Sequence, residues 1–237
     1  MKIAVLTGAS GNLGKSFLET LTRSGYYVYT VDLRIDNLKE NSSVKPVFLD
    51  ITNEKTVISF YRSLKKIDAL INNAGIGVFT PFEKRTVEEF MEVINVNMLG
   101  TFLMSREAIK IMKTQKSGKI INIGSIYGGV SSDPRIYGNS GRNNSEVYSM
   151  TKAGVIMLTK YMAAHFAKYN IQSNCISLGG IFNKQADSFV RNYINKTPAG
   201  RMASVSDLQG ALKFLISEES DYVNGQNITV DGGFTAW

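Results

Sequence analysis

The sequence predicts an α/β protein, a doubly wound parallel sheet of about seven strands flanked by helices. Two observations carry that expectation. Short apolar, β-branched runs alternate with longer segments of helical periodicity throughout the 237 residues. A strand that rejoins the sheet beyond a helix does so by a crossover and therefore lies parallel, and right-handed crossovers cover both faces. Taken in order, Lys2–Thr7 is the first strand, entered almost at once, and Gly14–Ser24 the first helix. Tyr26–Asp32 and Lys45–Asp50 follow as strands two and three, with a helix over Glu54–Leu64. Strand four is Ala69–Asn73, followed by a long helical pattern over Val87–Lys113, whose apolar residues recur at helical spacing. Strand five, Lys119–Gly124, precedes a second long helix, Tyr148–Tyr169. Gln172–Leu178, a helix over Val205–Ser217, and Asn227–Val230 complete the set. No tandem repeat, low-complexity tract or linker interrupts it, so residues 1–237 are expected to form one Rossmann-like domain. In such sheets the ligand crevice lies at the carboxyl ends of the strands, which singles out the residues just after each one.

Bulk properties narrow the function classes. Hydrophobic content of 43% with 20% charged residues is that of an ordinary globular chain. No apolar run approaches the roughly 18 residues that span a bilayer, and the first residues lack a signal-peptide pattern, so no membrane partner is expected. Cys175 is the single cysteine, which excludes an internal disulfide and a cysteine-based zinc cage. It reads as a small buried hydrophobe. Together these features favour the cytoplasm. The net charge of +7 is dispersed and no nucleic-acid module is present, so a solvated basic surface is expected rather than a nucleic-acid partner. No acidic or histidine cluster has metal-ligand spacing, and His165, the only histidine, reads as structural or surface.

Chemistry is concentrated after the strands. Strand one runs into Thr7-Gly8-Ala9-Ser10-Gly11-Asn12-Leu13-Gly14, and a helix follows. Glycines there permit a tight turn and let backbone amides approach a pyrophosphate, which the helix N-terminus also attracts. Asp32, 18 residues beyond Gly14, ends strand two. A carboxylate there accepts from ribose hydroxyls and repels a 2′-phosphate, which favours NAD over NADP. Arg34 leaves NADP open, because a guanidinium accommodates that phosphate. Asp50, ending strand three, is a candidate for the adenine pocket with its neighbour Ile51. Tyr148 and Lys152 stand one helical turn apart on one face.

Together these motifs resemble the compact, single-domain branch of the short-chain dehydrogenase/reductase family, over essentially the whole chain. Thr7-Gly8 through Gly14 is similar to its cofactor turn, Asn72-Asn73-Ala74-Gly75 to the motif ending its fourth strand, and Asn95-Val96-Asn97 to its mid-helix asparagine motif. Asn122-Ile123-Gly124-Ser125 resembles its serine strand and Tyr148-x-x-x-Lys152 its catalytic pair. Pro198-Ala199-Gly200-Arg201, Gly225-Gln226-Asn227 and Val230-Asp231-Gly232-Gly233 resemble its C-terminal third. The resemblance implies a nicotinamide-dependent oxidoreductase in which Tyr148 exchanges a proton with the substrate oxygen as hydride moves. A free phenol is a poor base at neutral pH, and the Lys152 ammonium beside oxidised nicotinamide would stabilise the phenolate. It further implies that Lys152 binds the nicotinamide ribose, Ser125 polarises the substrate oxygen, and Asn97 supports a water path to Lys152. The implied cofactor contacts are Gly8, Ser10, Gly11, Asn12, Leu13, Gly14, Asp32, Asp50, Ile51, Asn73, Ala74, Gly75, Tyr148, Lys152, Gly179 and Ile181. Family members commonly pair their two long helices across an interface, so a homodimer or homotetramer is expected.

Three features depart from that branch. Asn12 stands at the usual site of the phosphate-proximal glycine, giving a spacing that resembles the extended branch with its sugar-nucleotide epimerases and dehydratases. Leu178 replaces the usual proline before Gly179-Gly180. Ser125 and Tyr148 are 23 residues apart, farther than in typical members. The intervening 126–147 segment, rich in Gly, Asn and Ser, reads as a loop insertion overhanging the substrate. Its side chains Tyr127, Asp133, Arg135, Tyr137, Arg142 and Glu146 suit a polyhydroxylated or anionic substrate. A polar lid is expected over 181–197. Candidate substrate contacts are Ser125, Tyr127, Arg135, Tyr137, Arg142, Tyr148, Gly180 and Asn183. Ser125-Ile126-Tyr127-Gly128, Gly179-Gly180-Ile181-Phe182-Asn183 and the Trp237 ending resemble bacterial flagellin-modification and surface-glycan oxidoreductases, which implies a sugar-like small-molecule substrate, as in nonulosonic acid biosynthesis. Two alternatives stay open: an epimerase or dehydratase that recycles its NAD, and a non-catalytic nucleotide sensor.

Overall fold

A computed structural model describes residues 1–140 and 142–237. Seven parallel strands form one sheet: β1 (Lys2–Thr7), β2 (Tyr26–Asp32), β3 (Val44–Phe48), β4 (Ala69–Asn72), β5 (Gly118–Ser125), β6 (Ile171–Leu178) and β7 (Asn227–Val230). Their spatial order is β3-β2-β1-β4-β5-β6-β7, so the chain winds one way from β1 and then reverses. The doubly wound sheet expected from the alternation is the one observed. The reversal between β1 and β4 opens the crevice at the strand C-termini.

Helices α1 (Asn12–Arg23), α2 (Glu54–Arg62), α3 (Val87–Ile94), α4 (Thr101–Gln115), α5 (Glu146–Phe166), α6 (Asp187–Lys196) and α7 (Gln209–Leu215) supply the outer layers. Side chains alternate between faces of a strand, and the core divides accordingly. Ala4, Leu6, Ile71 and Ile121 point to the side where α1 and α7 pack, with Phe17, Leu21, Leu212 and Leu215. Val5, Leu70 and Ile120 point the other way, onto Leu103, Met104, Met112 and Met162 of α4 and α5. Between those layers Asn72 donates to Ser105 Oγ (2.9 Å) and Asn122 Oδ1 (2.8 Å), and Asn122 donates to Thr159 Oγ1 (2.8 Å). This buried polar chain fixes the position of β4 and β5 against both long helices.

Two findings differ from the sequence reading. The pattern over Val87–Lys113 is not one regular helix: a π-helical turn, Asn95–Gly100, separates α3 from α4. The lid region holds a ten-residue helix, α6. Cys175 is buried, and that burial pushes its thiol up to about 11. Among the described residues no helix is long and apolar enough to cross a membrane.

Candidate active site

The glycine turn is shaped by contacts that only glycine tolerates. Gly8 adopts a left-handed φ of 64°, and a Cβ there would lie 2.8 Å from Ala74 Cα. At Gly14 a Cβ would press into the Gly8 carbonyl oxygen and sit 2.7 Å from Ala9 Cα. Asn73 fastens the turn to β4, donating from its side chain to the carbonyls of Thr7 (3.0 Å) and Gly8 (2.9 Å). Asp32 fastens it to β2: its carboxylate accepts from Ser10 N (2.9 Å) and Arg34 N (3.0 Å).

These pieces border a groove of about 520 Å³ that runs from the glycine turn across the end of β1 to Tyr148 and Lys152. Gly8, Ser10, Gly11, Asn12, Leu13, Gly14, Asp32, Asp50, Ile51, Asn73, Ala74, Gly75, Tyr148 and Lys152 all line it. Asp50 does so with one oxygen already accepting from the Thr52 amide (2.8 Å) and hydroxyl (2.7 Å). Gly179 and Ile181, expected against the cofactor, do not line this groove. Gly179 borders the neighbouring cleft, and Ile181 packs on the core and pairs with Ala203. Leu178, Ile76 and Val96 also line the groove, although the sequence reading did not name them as cofactor contacts.

Where the groove meets that cleft, α5 presents Tyr148 in its first turn, held by Ser145 as N-cap. Lys152, one turn on, is 5% exposed; its ammonium donates to the Ile123 carbonyl (2.7 Å) and lies 5.5 Å from the Tyr148 ring centroid. Among the described residues it has no ion-pair partner. A buried ammonium left without a carboxylate is costly unless it serves a bound group. Ser125, at the end of β5, accepts from Tyr127 N through its hydroxyl oxygen (3.2 Å), which leaves its own hydrogen free to point outward. Asn97 is buried in the π-helical turn, whose extra residue swings its amide onto the backbone of Ile76: it accepts from Ile76 N (2.9 Å) and donates to Ile76 O (2.9 Å). It also donates to Thr151 Oγ1 (3.1 Å), which in turn donates to Tyr148 O (2.7 Å). A Cβ on Gly75 would lie 3.3 Å from Asn97 Oδ1 and 3.5 Å from Lys152 Nζ, so Asn97 and Lys152 flank the same small gap.

The cleft beyond Tyr148 has a volume of about 670 Å³. Of the candidate substrate contacts, Ser125, Tyr127, Tyr137, Arg142, Tyr148, Gly180 and Asn183 line it. Arg135 does not: its side chain is 86% exposed and paired to Asp133 at 2.7 Å. A local carboxylate two residues away captured the guanidinium that the charge pattern had assigned to substrate. The cleft adds Phe79, Ser140, Asn144, Lys184 and Gln185. Phe79 follows β4 and Lys184 follows β6 at a similar distance, so the strand-end rule points to both. Insertion and lid also pack on each other. Ile126 and Ile136 share a small core with Tyr193, Met202 and Phe234, Lys196 pairs with Asp133 (2.9 Å), and Asn183 accepts from Asn12 (3.1 Å). Burial pushes Tyr193 up to about 12 and raises Tyr127 and Tyr137 too, so these phenols are neutral hydrogen-bonding groups at physiological pH.

A family model described as enoyl-(acyl carrier protein) reductase matches residues 8–235. The chain belongs to the short-chain dehydrogenase/reductase family. It is similar to a short-chain dehydrogenase from Leptospira borgpetersenii, solved with bound NAD+, at 46% identity and a TM-score of 0.94, covering 99% of this chain and 92% of that one. It is 34% identical to the 2-dehydro-3-deoxy-D-gluconate 5-dehydrogenase of Formosa agariphila, over 99% of this chain and 93% of the relative. A 3-oxoacyl-[acyl-carrier-protein] reductase of Rickettsia bellii is 32% identical, over 97% and 95%. As a short-chain dehydrogenase/reductase, this chain is an NAD(P)-dependent oxidoreductase of CH–OH groups.

The groove fits that dinucleotide on its own features. Gly8 and Gly14 keep the turn low beneath a pyrophosphate, the N-terminus of α1 opens at it, and Asp32 stands at the ribose end of β2. The exposed side of Arg34 borders the same end. We predict that NAD binds more tightly than NADP, and that Asp32→Ala narrows the gap while loosening the turn it holds through Ser10 N. Titrations of both dinucleotides check this; tighter NADP binding by the unmodified protein would overturn it.

Proposed function

We propose that this short-chain dehydrogenase/reductase moves hydride between NAD(H) and a hydroxyl or carbonyl of a small, sugar-like substrate, with Ser125, Tyr148, Lys152 and Asn97 as its catalytic group. The carrying observation is that Tyr148 borders both the dinucleotide groove and the neighbouring cleft. A substrate oxygen beside Tyr148 is therefore within reach of the Ser125 hydroxyl on one side and of the groove on the other. The bound dinucleotide supplies or accepts the hydride. Every other role falls to the chain. Ser125 donates its free hydrogen to the substrate oxygen and fixes its position. Tyr148 gives or takes the proton at that oxygen. Lys152, anchored by the Ile123 carbonyl, holds positive charge beside the phenol and has further donors for a ribose. Asn97 holds the Ile76 backbone so that the gap beside Lys152 stays open for proton relay.

The two curated relatives above act on a sugar acid and on an acyl thioester at nearly equal identity, so relatedness alone does not choose the substrate. Hydroxyl and amide side chains dominate the polar wall of the cleft: Ser125, Tyr127, Tyr137, Ser140, Asn144, Asn183 and Gln185. Those groups can hydrogen-bond several substrate hydroxyls, while Val78, Phe79, Ile126 and Phe189 give the same cleft apolar surface. The motifs around Ser125 and Gly179 extend the proposal to surface-glycan or flagellin-glycan precursors of the nonulosonic type. An NAD-coupled assay with polyols, aldonates, ulosonates, nucleotide-linked sugars and a 3-hydroxyacyl thioester tests it. Net NADH formation with a sugar derivative is expected; activity confined to the thioester overturns the substrate class. We further propose a homodimer or homotetramer, on the exposed apolar side chains of α4, α5 and the π-helical turn, among them Leu99, Phe102, Met157 and Tyr161. Sedimentation as a monomer would remove it.

A further inference from the structure

The cleft has an uncompensated positive charge. Among the described residues no Asp or Glu lines it, whereas Arg142 from the insertion and Lys184 from the lid both do. Among the described residues neither cation has an ion-pair partner, although nearby carboxylates exist. Glu146 and Glu89 are taken by Arg85, at 3.2 and 3.5 Å, and Asp133 by Arg135 and Lys196. Asp187, the first residue of α6, is exposed and does not border the cleft.

Arg142 is positioned rather than loose. Its guanidinium carbon lies 4.2 Å from the centroid of Phe79, another lining residue, and the charge is felt at the Tyr137 phenol. Stacking on a ring occupies the flat face of a guanidinium and leaves the in-plane N–H groups available, the geometry that grips a planar carboxylate through two hydrogen bonds. No side-chain hydrogen bond of Arg142 to the protein consumes those donors among the described residues. Tyr137, Ser140 and Asn144 line the same cleft as this cation and Tyr148 and offer hydrogen bonds beside its apolar side chains.

We propose that the substrate is a polyhydroxylated carboxylic acid, a sugar acid, whose carboxylate is held by Arg142 with Lys184 adding positive charge from the lid. The inference rests on the sugar-redox reading above and names the head group that it lacks.

Its test separates binding from turnover. In the binding arm, the NADH-saturated protein is titrated calorimetrically with D-gluconate against D-glucitol, and with N-acetylneuraminate against its methyl ester. Each neutral partner keeps the acid's hydroxyls and loses its charge, glucitol carrying one further hydroxyl in place of the carboxylate. At least one acid is expected to bind about ten- to a hundredfold more tightly than its neutral counterpart. Arg142→Gln is expected to erase that advantage while leaving NADH affinity and melting temperature unchanged. Equal binding within both pairs, no binding of either acid, or an advantage that survives Arg142→Gln overturns the proposal, as does tighter binding of D-glucose 6-phosphate than of either acid. The turnover arm follows NADH formation with the same compounds. Arg142-dependent binding without turnover supports the carboxylate site while counting against redox chemistry on these acids; turnover of neutral sugars alone keeps the redox reading and overturns the carboxylate.

Discussion

Tyr148→Phe is expected to lower kcat by about 10²–10⁴ while leaving dinucleotide affinity and melting temperature nearly unchanged. The substitution removes one oxygen. The ring keeps its place against Gly77, where a Cβ would be in ordinary contact at 3.4 Å, and beneath the Lys152 ammonium. Ser145 still caps α5 through the residue-148 amide, so the first turn of that helix persists. What disappears is, among the described residues, the only side chain that borders groove and cleft together and carries an exchangeable proton. Steady-state rates, an NADH titration and a thermal melt decide it together. Wild-type turnover in the variant would remove Tyr148 from the mechanism, whereas loss of turnover accompanied by loss of NADH binding would point to a structural role.

The second large effect is expected at Gly14. Gly14→Ala places a methyl against the Gly8 carbonyl oxygen and 2.7 Å from Ala9 Cα, both backbone atoms of the same turn. Backbone cannot rotate aside as a side chain does, so the turn and the start of α1 must separate. We expect a cost of about 1–3 kcal/mol in stability and a weakened dinucleotide affinity, because the amides around the groove shift with the turn. Gly11→Ala is the control. Its added methyl meets only the Gly8 carbonyl oxygen at 3.6 Å, so the melting temperature should barely move. Equal melting of Gly14→Ala and the parent chain would contradict the packing described for the turn.

Much of the fold was legible because buried parallel strands are written as unbroken apolar runs. Lys2–Thr7 and Tyr26–Asp32 are read and observed with the same bounds, as is the edge strand Asn227–Val230, whose alternating residues are exposed or half-buried. The π-helical turn was not legible, since one extra residue per turn leaves an apolar pattern nearly intact; only the two asparagines of Asn95-Val96-Asn97 hint that side chains there face a backbone. Helix α6 was hidden by the polar Asn183-Lys184-Gln185 preceding it, although Phe189, Val190, Tyr193 and Ile194 form a one-sided stripe. The groove was easier than the cleft for a related reason. Groove residues sit at strand ends, where position follows from topology. Cleft residues sit on the insertion and lid, where the outcome depends on which neighbour reaches a charge first. Arg135 found Asp133; Arg142 found a ring instead of an acid.

The small core beneath the insertion ties the recognition surface to the far end of the chain. Ile136 packs with Tyr193 of α6 and with Phe234, while Lys196 lies over the Phe234 ring and accepts, through its carbonyl, the indole hydrogen of Trp237 (3.3 Å). Three stretches distant in sequence thus pack as one unit. Grafting the 126–147 stretch onto a relative without its matching helix and tail would strip Ile136 of its neighbours, and selectivity among relatives is therefore expected to diverge by coordinated replacement of all three.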